Sequence, residues 1–440
     1  MNTHDAIIIG TGQAGPSLAA RFSKAGMKIA VIERKLFGGT CVNTGCTPTK
    51  TLVASAYAIH LARQFCNDLQ VDWKKLKARK DEVVARSGIE KWMTGLPNCE
   101  VIKGHARFTA PHTVVVNDKT LISQKIFINV GGRARIPAIP GLDEVPYLTN
   151  ATIMDLDILP PHLIVLGGSA VGLEFAQMYR RFGSEVTIIE EAGRVLPHED
   201  EDVSAAVLDI LTKEGVSVAL NAHNLVVKKL DSALNVHNIT GSHLLVATGR
   251  IPNTDDLGLD KVGIATDEHG YIHVDEDCAT NARGVWALGD CNGHGGFTHT
   301  SYNDYEIVAA NLLDNESRRI SDRIKAYAVY IDPPLARVGM TEAELRKSKR
   351  PALIGRRQMS KVSRAVEKGE TLGFMKILVD AENHQILGAN ILGTGGDEAI
   401  HCILDMMYAG APYNLMQRAV HIHPTVSELI PTMLGELKPL

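Results

Sequence analysis

Cys41 and Cys46 lie in the run Gly38-Gly39-Thr40-Cys41-Val42-Asn43-Thr44-Gly45-Cys46-Thr47-Pro48-Thr49-Lys50, and two thiols this close read first as a redox-active disulfide. On a regular α-helix, residues five apart point about 140° away from each other, so bridging them needs a distorted turn. Gly45 and Pro48 supply the means to distort it. A cysteine near a helix start, with Lys50 close by, has a lowered thiol pKa and a reactive thiolate. Two other readings compete: unrelated buried thiols, and half of a zinc site. Zinc would need two more ligands, and no second close Cys/His pair provides them.

A second candidate pair is His423 and Glu428, in His423-Pro424-Thr425-Val426-Ser427-Glu428. Taken alone, such a pair is most often surface decoration. Its chemical reading is an imidazole that protonates a leaving thiolate while the carboxylate fixes its tautomer. His421 reads as supporting structure, and Cys66, Cys99, Cys278, Cys291 and Cys402, which have no partner motif, read as packing residues.

These side chains need a scaffold, and the chain carries one twice. Residues 6–33 read as strand, glycine turn, helix and strand. Ala6-Ile7-Ile8-Ile9 is apolar, Gly10-Thr11-Gly12-Gln13-Ala14-Gly15 is the turn, and Pro16 to Lys24 is helical. Gly26 ends that helix, and Met27 to Ile32 is a second apolar run closed by Glu33. The layout returns at 163–190: strand Leu163 to Leu166, turn Gly167-Gly168-Ser169-Ala170-Val171-Gly172, helix Leu173 to Phe182, Gly183, then Val186 to Ile189 and Glu190. In both units the acid follows the last glycine by 18 residues, 15 to 33 and 172 to 190. One glycine turn before a helix is common; two with equal internal spacing are much stronger evidence.

Such a turn lets backbone approach a pyrophosphate at the helix N-terminus, and the acid at the end of the next strand binds ribose hydroxyls. The expected nucleotide contacts are Gly10, Gly12, Gly15 and Glu33 in the first unit, and Gly167, Gly172 and Glu190 in the second. Ser169 departs from the pattern, standing where a middle glycine is expected. Glu190 suits the free 2′-hydroxyl of NADH and repels the 2′-phosphate of NADPH, a preference that Arg194 would soften.

Around these units, residues 73–95 read as one charged surface helix, and 101–130 as short strands with a turn at Asn117-Asp118. Pro137, Pro140 and Gly141 mark a crossing between domains, and Pro160-Pro161 announces the second unit. Residues 242–253 and 280–290 are strand-like, and from about 325 the pattern becomes that of a separate α+β domain. A chain of 440 residues is too long for one core, and 45% hydrophobic with 22% charged residues is ordinary globular composition. The net charge of −4 gives no electrostatic case for nucleic acid or an anionic membrane, and no apolar run is long enough to span a bilayer. Met1-Asn2-Thr3-His4-Asp5 leads straight into the first strand without a secretion signal. Seven cysteines in such a chain argue against a structural disulfide framework. The expected setting is cytoplasmic and reducing, where a disulfide is catalytic.

On these motifs the chain resembles the class I pyridine nucleotide–disulfide oxidoreductases, which include dihydrolipoamide dehydrogenase, glutathione reductase and mercuric reductase. The resemblance covers nearly the whole chain and rests also on Ala247-Thr248-Gly249-Arg250-Ile251-Pro252-Asn253, Gly284-Val285-Trp286-Ala287-Leu288-Gly289-Asp290 and the His423–Glu428 segment. It implies an α/β fold with two Rossmann-like nucleotide-binding domains, for FAD and NAD(P), plus a C-terminal α+β dimerisation domain. The implied division is 1–150 for the first part of the FAD domain with the redox disulfide, and 151–253 for the NAD(P) domain. A central region, 254–324, completes the FAD site, and 325–440 forms the dimerisation domain. The resemblance makes Cys41 the interchange thiol that meets substrate and Cys46 the thiol against the flavin. It puts Lys50 near the isoalloxazine, paired with Glu174, and Asp290 on the FAD ribitol chain. Thr40, Ala106 and Gly249 join the expected cofactor contacts. His423 and Glu428 would serve the other subunit, so a homodimer is implied. No metal ligand set is expected.

Two departures narrow the family. Mercuric reductases proper end in a vicinal cysteine pair and often carry an N-terminal metal-binding module; here no cysteine follows Cys402, and the chain starts at the first strand. Dihydrolipoamide dehydrogenases usually read Ile-Pro-Ser-Lys after the second cysteine, where this chain reads Thr47-Pro48-Thr49-Lys50. That segment, with Phe297-Thr298-His299-Thr300-Ser301 and the stretch Pro333 to Met340, is similar to a branch often labelled mercuric-reductase-like. Its members include a bacterial flavoprotein linked to reactive-chlorine resistance and Cu(II) reduction. The expected function is an FAD-dependent NAD(P)H reductase, NADH favoured, that passes electrons through Cys41 and Cys46 to a small-molecule disulfide or a metal ion such as Cu(II) or Hg(II). Dihydrolipoamide dehydrogenase is the alternative enzyme. A redox-responsive FAD-binding module is the non-enzyme alternative, although binding alone needs none of Cys41, Cys46, Lys50, His423 and Glu428 together.

Overall fold

The computed structural model describes residues 2–66 and 68–440. Its first unit is a five-stranded sheet in the order 285–287, 126–128, 6–9, 29–33, 99–103, with every pair parallel. Ala6–Ile9 and Ile29–Glu33 are buried along their whole length, as strands covered on both faces must be. Helix α1 (Ala14–Lys24) crosses between them and is stopped by Gly26, whose φ of 80° suits a helix C-terminus. The helix begins two residues before Pro16, because Gly12 and Gln13 already turn into it. The strand 285–287 comes from far along the chain, so the central region is stitched into this sheet.

Two helices then carry the cysteine run: α2 (Gly39–Asn43) and α3 (Cys46–Arg63). The expected single helix over 73–95 is two, α4 (Trp73–Ala85) and α5 (Ile89–Thr94). Gly88 separates them at a φ of 58°, a left-handed conformation that helix geometry does not permit. The meander 106–110, 113–116 and 119–122 turns at Asn117-Asp118, where Asn117 has a φ of 51°.

The second unit repeats the first. Its sheet runs 147–148, 243–246, 162–166, 185–189, 217–219, again all parallel. Helix α6 (Ala170–Phe182) ends at Gly183 with a φ of 121°, and α7 (Glu201–Lys213) follows the second strand. Leu52 and Ala56 of α3 share a buried cluster with Phe175, Tyr179 and Phe182 of α6, so the cysteine-bearing helix packs directly on the second unit. That packing fixes which residues face each other across the seam.

Helix α8 (Thr298–Ala309) leads from the central region toward a C-terminal six-stranded antiparallel sheet, in the order 326–329, 335–339, 386–392, 374–380, 352–358, 438–439. Strands 374–380 and 386–392 are wholly buried, and the helix Gly396–Tyr408 covers them. Among the described residues no helix is long and apolar enough to cross a membrane.

Candidate active site

The chain between Cys41 and Cys46 does not run through one helix. It breaks at Thr44-Gly45, between α2 and α3, and Asn150 Nδ2 holds the break open by donating to Thr44 O at 2.9 Å. Gly45 is required there, because a Cβ would lie 2.9 Å from Thr40 O. This is the distortion that two cysteines five apart need in order to meet. Cys46 becomes the first residue of an 18-residue helix with no acid in its first turn, so the helix dipole favours negative charge on its sulfur.

Both cysteines are present as thiols, and they interact. A hydrogen bond from Cys41 is the largest influence on Cys46 and pulls it down to about 6, with burial opposing and Thr298 and Lys50 adding to the pull. Donating that bond, together with burial, pushes Cys41 well above the ordinary thiol range. These contacts favour negative charge on Cys46 over Cys41. Thr298 Oγ1 lies 3.2 Å from Cys46 Sγ, at the start of α8. Thr298 appears in the sequence only as part of a branch-typical segment, and nothing in its type or spacing announces a contact with a sulfur 252 positions away.

Lys50, one turn beyond Cys46, reaches across the seam to Glu174 of α6, Nζ to Oε2 at 2.7 Å. The other carboxylate oxygen of Glu174 accepts from the Tyr330 backbone N–H at 2.8 Å, and the Tyr330 ring lies 4.7 Å below the ammonium. Glu174 is only 6% exposed, so this buried carboxylate is matched by one cation and one amide. Tyr330 went unnoticed in the sequence.

The two glycine turns are built alike. Gly10 has a φ of 102°, and a Cβ there would meet Asn129 O at 2.2 Å; a Cβ on Gly15 would meet Gly10 O at 2.3 Å. Glu33 accepts from Thr11 N at 3.0 Å, Thr11 Oγ1 at 2.6 Å and Lys35 N at 2.8 Å. In the second unit Gly167 has a φ of 106°, and Cβ atoms on Gly167 and Gly172 would meet Ala247 O at 2.4 Å and Gly167 O at 2.0 Å. Glu190 accepts from Gly168 N at 2.5 Å and Ala192 N at 2.7 Å. Each helix N-terminus is free of acids and side-chain caps. Both cradles fit a dinucleotide pyrophosphate.

The first cradle touches the redox run directly. Gly38 N donates to Thr11 Oγ1 at 3.2 Å, and a Cβ on Gly39 would lie 2.9 Å from Gly12 Cα. Thr40 follows at once in α2. Ala106 starts the strand beyond Gly104, whose N–H donates to Glu33 O at 2.9 Å. Asp290 lies 3.2 Å from Arg250 Nη2, which also donates to Gly132 O at 2.6 Å; these residues line one cleft of about 90 Å³ with Tyr271. Gly249 has a φ of 114° and accepts from Arg135 N at 2.9 Å beside the second cradle. Arg194 is engaged elsewhere, with Pro197 O at 3.0 Å and Glu201 at 3.3 Å.

His423 and Glu428 pair with each other, Nδ1 to Oε2 at 2.9 Å, with the imidazole 71% exposed and the carboxylate 14%. The carboxylate thus holds Nδ1 and leaves Nε2 facing outward. Among the described residues, no three His, Cys, Asp or Glu side chains gather as a metal-binding set.

Comparison with known proteins accounts for both halves of this arrangement. Residues 4–306 match the pyridine nucleotide-disulphide oxidoreductase family, and residues 325–434 match its dimerisation domain. The chain is 37% identical to the probable pyridine nucleotide-disulfide oxidoreductase RclA of Escherichia coli, over 100% of both chains. It is 33% identical to a dihydrolipoyl dehydrogenase of Thermus scotoductus, over 97% of this chain and 96% of that one. A solved Cu(II) complex of the HOCl-induced flavoprotein disulfide reductase RclA from Escherichia coli superposes with a TM-score of 0.93, at 36% identity and full coverage of both chains. The chain belongs to the pyridine nucleotide-disulphide oxidoreductase family, as a flavoprotein oxidoreductase with a redox-active cysteine pair.

Proposed function

We propose that this protein is an NADH-preferring, FAD-dependent reductase that delivers electrons through Cys41 and Cys46 to a disulfide or metal-ion substrate, and that it works as a homodimer in a reducing, cytoplasmic setting. The observation that carries this is the placing of the cysteine run: the chain breaks so that Cys46 starts α3, with Lys50 one turn on paired to Glu174 of the second unit and Gly38 bonded to the first glycine turn. FAD, when bound, supplies two-electron exchange between the nicotinamide and the cysteine pair. Gly10, Gly12, Gly15 and Glu33 would hold its nucleotide, with Asp290 at its ribitol; Gly167, Gly172 and Glu190 would hold NADH.

With a disulfide substrate, Cys41 must lose its proton before it can attack, because a thiol is a poor nucleophile. His423 of the second subunit is the base in this reading, its Nδ1 fixed by Glu428 and its Nε2 open. The Cys41 thiolate attacks one substrate sulfur, forms a mixed disulfide, and expels the other sulfur as a thiolate that His423 protonates. Cys46 then attacks Cys41 Sγ, releases the second substrate thiolate, and leaves the Cys41–Cys46 disulfide. Two electrons have passed to substrate. Val420 and Ile422, beside His423, are 101% and 80% exposed, an apolar surface that a second subunit would cover. Glu190, anchored on two backbone amides with Arg194 engaged elsewhere, supports NADH over NADPH.

Mixing Cys41→Ser and His423→Ala homodimers under subunit exchange tests the central claim. One working site per heterodimer should return. Proven exchange without recovered activity would mean that His423 serves its own subunit or none. A turnover panel of lipoamide, glutathione disulfide, Cu(II) and Hg(II) then sorts the substrate; the Cu(II) complex of the solved relative makes Cu(II) the first metal to test.

A further inference from the structure

The Thr298 hydroxyl that touches Cys46 sits on the first turn of α8, flanked by three stacked rings. Phe297 stacks on Tyr327 with centroids 5.5 Å apart and planes 5° from parallel, and on His299 at 5.3 Å and 12°. His299 Nε2 lies 2.8 Å from Ala326 O, the neighbour of Tyr327, so the outer rings are tied to the same strand. Thr300 closes the turn by donating its hydroxyl to Phe297 O at 2.8 Å.

The far end of the stack is anchored in a buried cluster of charged side chains. The Tyr327 hydroxyl donates to Glu199, which is 4% exposed and also accepts from Arg337 Nε at 2.7 Å. Arg337 reaches Asp200 at 3.1 Å, and Lys376 reaches Asp200 and Asp202 at 2.9 Å; both cations are 1% exposed. Glu199 and Asp200 precede α7 of the second unit, whereas Tyr327, Arg337 and Lys376 belong to the C-terminal sheet. Buried charges paired this fully resist displacement, because moving one leaves the others uncompensated.

We propose that Phe297 and Tyr327 are positioning residues for the redox pair: their stack, anchored on Glu199, holds the Thr298 hydroxyl against Cys46 Sγ. The consequence is mechanical. The position of a hydroxyl at the sulfur is set by the seam between the second unit and the C-terminal sheet, so a shift of one against the other reaches Cys46. The other groups facing that sulfur are Cys41 from α2, Lys50 from its own helix, and Tyr330 from the loop after strand 326–329.

The inference rests on Cys46 being the thiolate of the pair, and its test separates the two claims. Reduced holoenzyme is titrated across pH 4.5–9, and the long-wavelength absorbance of the Cys46 thiolate against the flavin is followed. Phe297→Leu should raise the midpoint by about half a pH unit to one unit, through loss of a positioned donor to the thiolate. Phe297→Tyr keeps the stack and should restore the wild-type profile. Phe297 is 39% exposed, so its replacement spares the core; if Phe297→Leu nevertheless fails to fold, Tyr327→Phe, which removes only the anchor to Glu199, should shift the midpoint in the same direction. An unshifted midpoint in a folded variant, alongside a shift in Thr298→Val, overturns the stack's role. A wild-type midpoint in the ordinary thiol range overturns the assignment of Cys46 instead.

Discussion

The two nucleotide units share a topology but are held differently at the turn. Asn129 and Ala247 occupy the same place: each backbone carbonyl sits against the first glycine of its turn, and each N–H donates to the preceding strand, to Ile9 O at 2.7 Å and Leu166 O at 2.8 Å. Asn129 adds a side chain. Its Oδ1 accepts from Gly15 N at 3.0 Å, and its Nδ2 donates to Leu288 O at 2.9 Å, tying the turn to the central region beside Asp290. Ala247 has nothing to offer there. Glu33 likewise has three donors and is 8% exposed, whereas Glu190 has two and is more accessible. The first turn is a preorganised clamp suited to a resident cofactor, and the second is looser, suited to one that must leave each cycle.

The largest effect expected from this contrast is at Asn129. Asn129→Ala removes one hydrogen bond each from the Gly15 N–H and the Leu288 carbonyl, which keep only Gly12 O at 3.1 Å and Cys291 Sγ at 3.3 Å, a loss of about 0.5–1.5 kcal/mol for each bond. FAD content after purification should fall at least about tenfold, as loss of preorganisation weakens binding. Gly12→Ser should do similar damage by a different route, since its Cβ would lie 3.0 Å from Asn129 Oδ1. Absorbance of the bound flavin and thermal unfolding measure both. Full FAD content in Asn129→Ala would remove the distinction between clamp and loose turn.

Glu190 carries the next largest effect. Glu190→Gln removes the charge that opposes a 2′-phosphate and keeps one acceptor oxygen, which serves either Gly168 N or Ala192 N. The ratio of kcat/KM for NADH over NADPH should fall roughly tenfold, the scale of one lost like-charge contact. FAD content should not change. A wild-type preference for NADPH would show that a cation other than Arg194 reads the phosphate.

Much of this was legible in the chain, and the boundary of legibility is physical. The two turns, their helices and the terminating acids follow from local spacing, because each is made within about 25 residues of sequence. The break between Cys41 and Cys46 was legible for the same reason. Asn129, Thr298 and Tyr330 were not, because their partners lie 114, 252 and 156 positions away and their residue types carry no signal of their own. Ser169 looked like a flaw in a fingerprint. The residue that takes the place of Asn129 in the second unit is Ala247, which has no side-chain amide. The helix over 73–95 was misread because a glycine within a helical pattern is usually tolerated, whereas Gly88 here takes a left-handed φ of 58°.

Where the units meet, the Lys50–Glu174 ion pair joins them beside the redox cysteines, and a smaller effect is expected there. Cys46 is pulled down to about 6, so its thiolate is fully formed above pH 7 and is lost as pH falls through 6. Lys50→Met removes one favourable charge and should raise the midpoint of the same absorbance titration by about half a unit, roughly a threefold lower thiolate fraction below pH 6. Glu174→Gln, a change in the other unit, should move it slightly the opposite way by freeing Lys50. Identical profiles for all three proteins would mean that the seam does not transmit charge to the sulfur.

The smallest effect should come from Ser169→Gly, which restores the missing glycine of the second turn. If the fingerprint mattered in itself, this change would tighten nicotinamide binding. The geometry says otherwise. Ser169 is the N-cap of α6, with an extended φ of −92° that any residue adopts, and its side chain caps no N–H. Replacing an N-cap serine by glycine costs only a few tenths of a kcal/mol. The KM for NADH should therefore stay within about twofold and thermal stability should drop marginally, since the change leaves alone the turn's amides and Glu190, the proposed nicotinamide-cofactor contacts. The mirror substitution in the first unit, Gly12→Ser, is the damaging one. The asymmetry of that reciprocal swap, near silent in one turn and disruptive in the other, isolates the Asn129 side chain as its cause. Adding Asn129→Ala to Gly12→Ser should cost less than the sum of the two single changes, because the serine then enters space the amide has left. Strict additivity would mean that serine is excluded from the first turn by something other than Asn129.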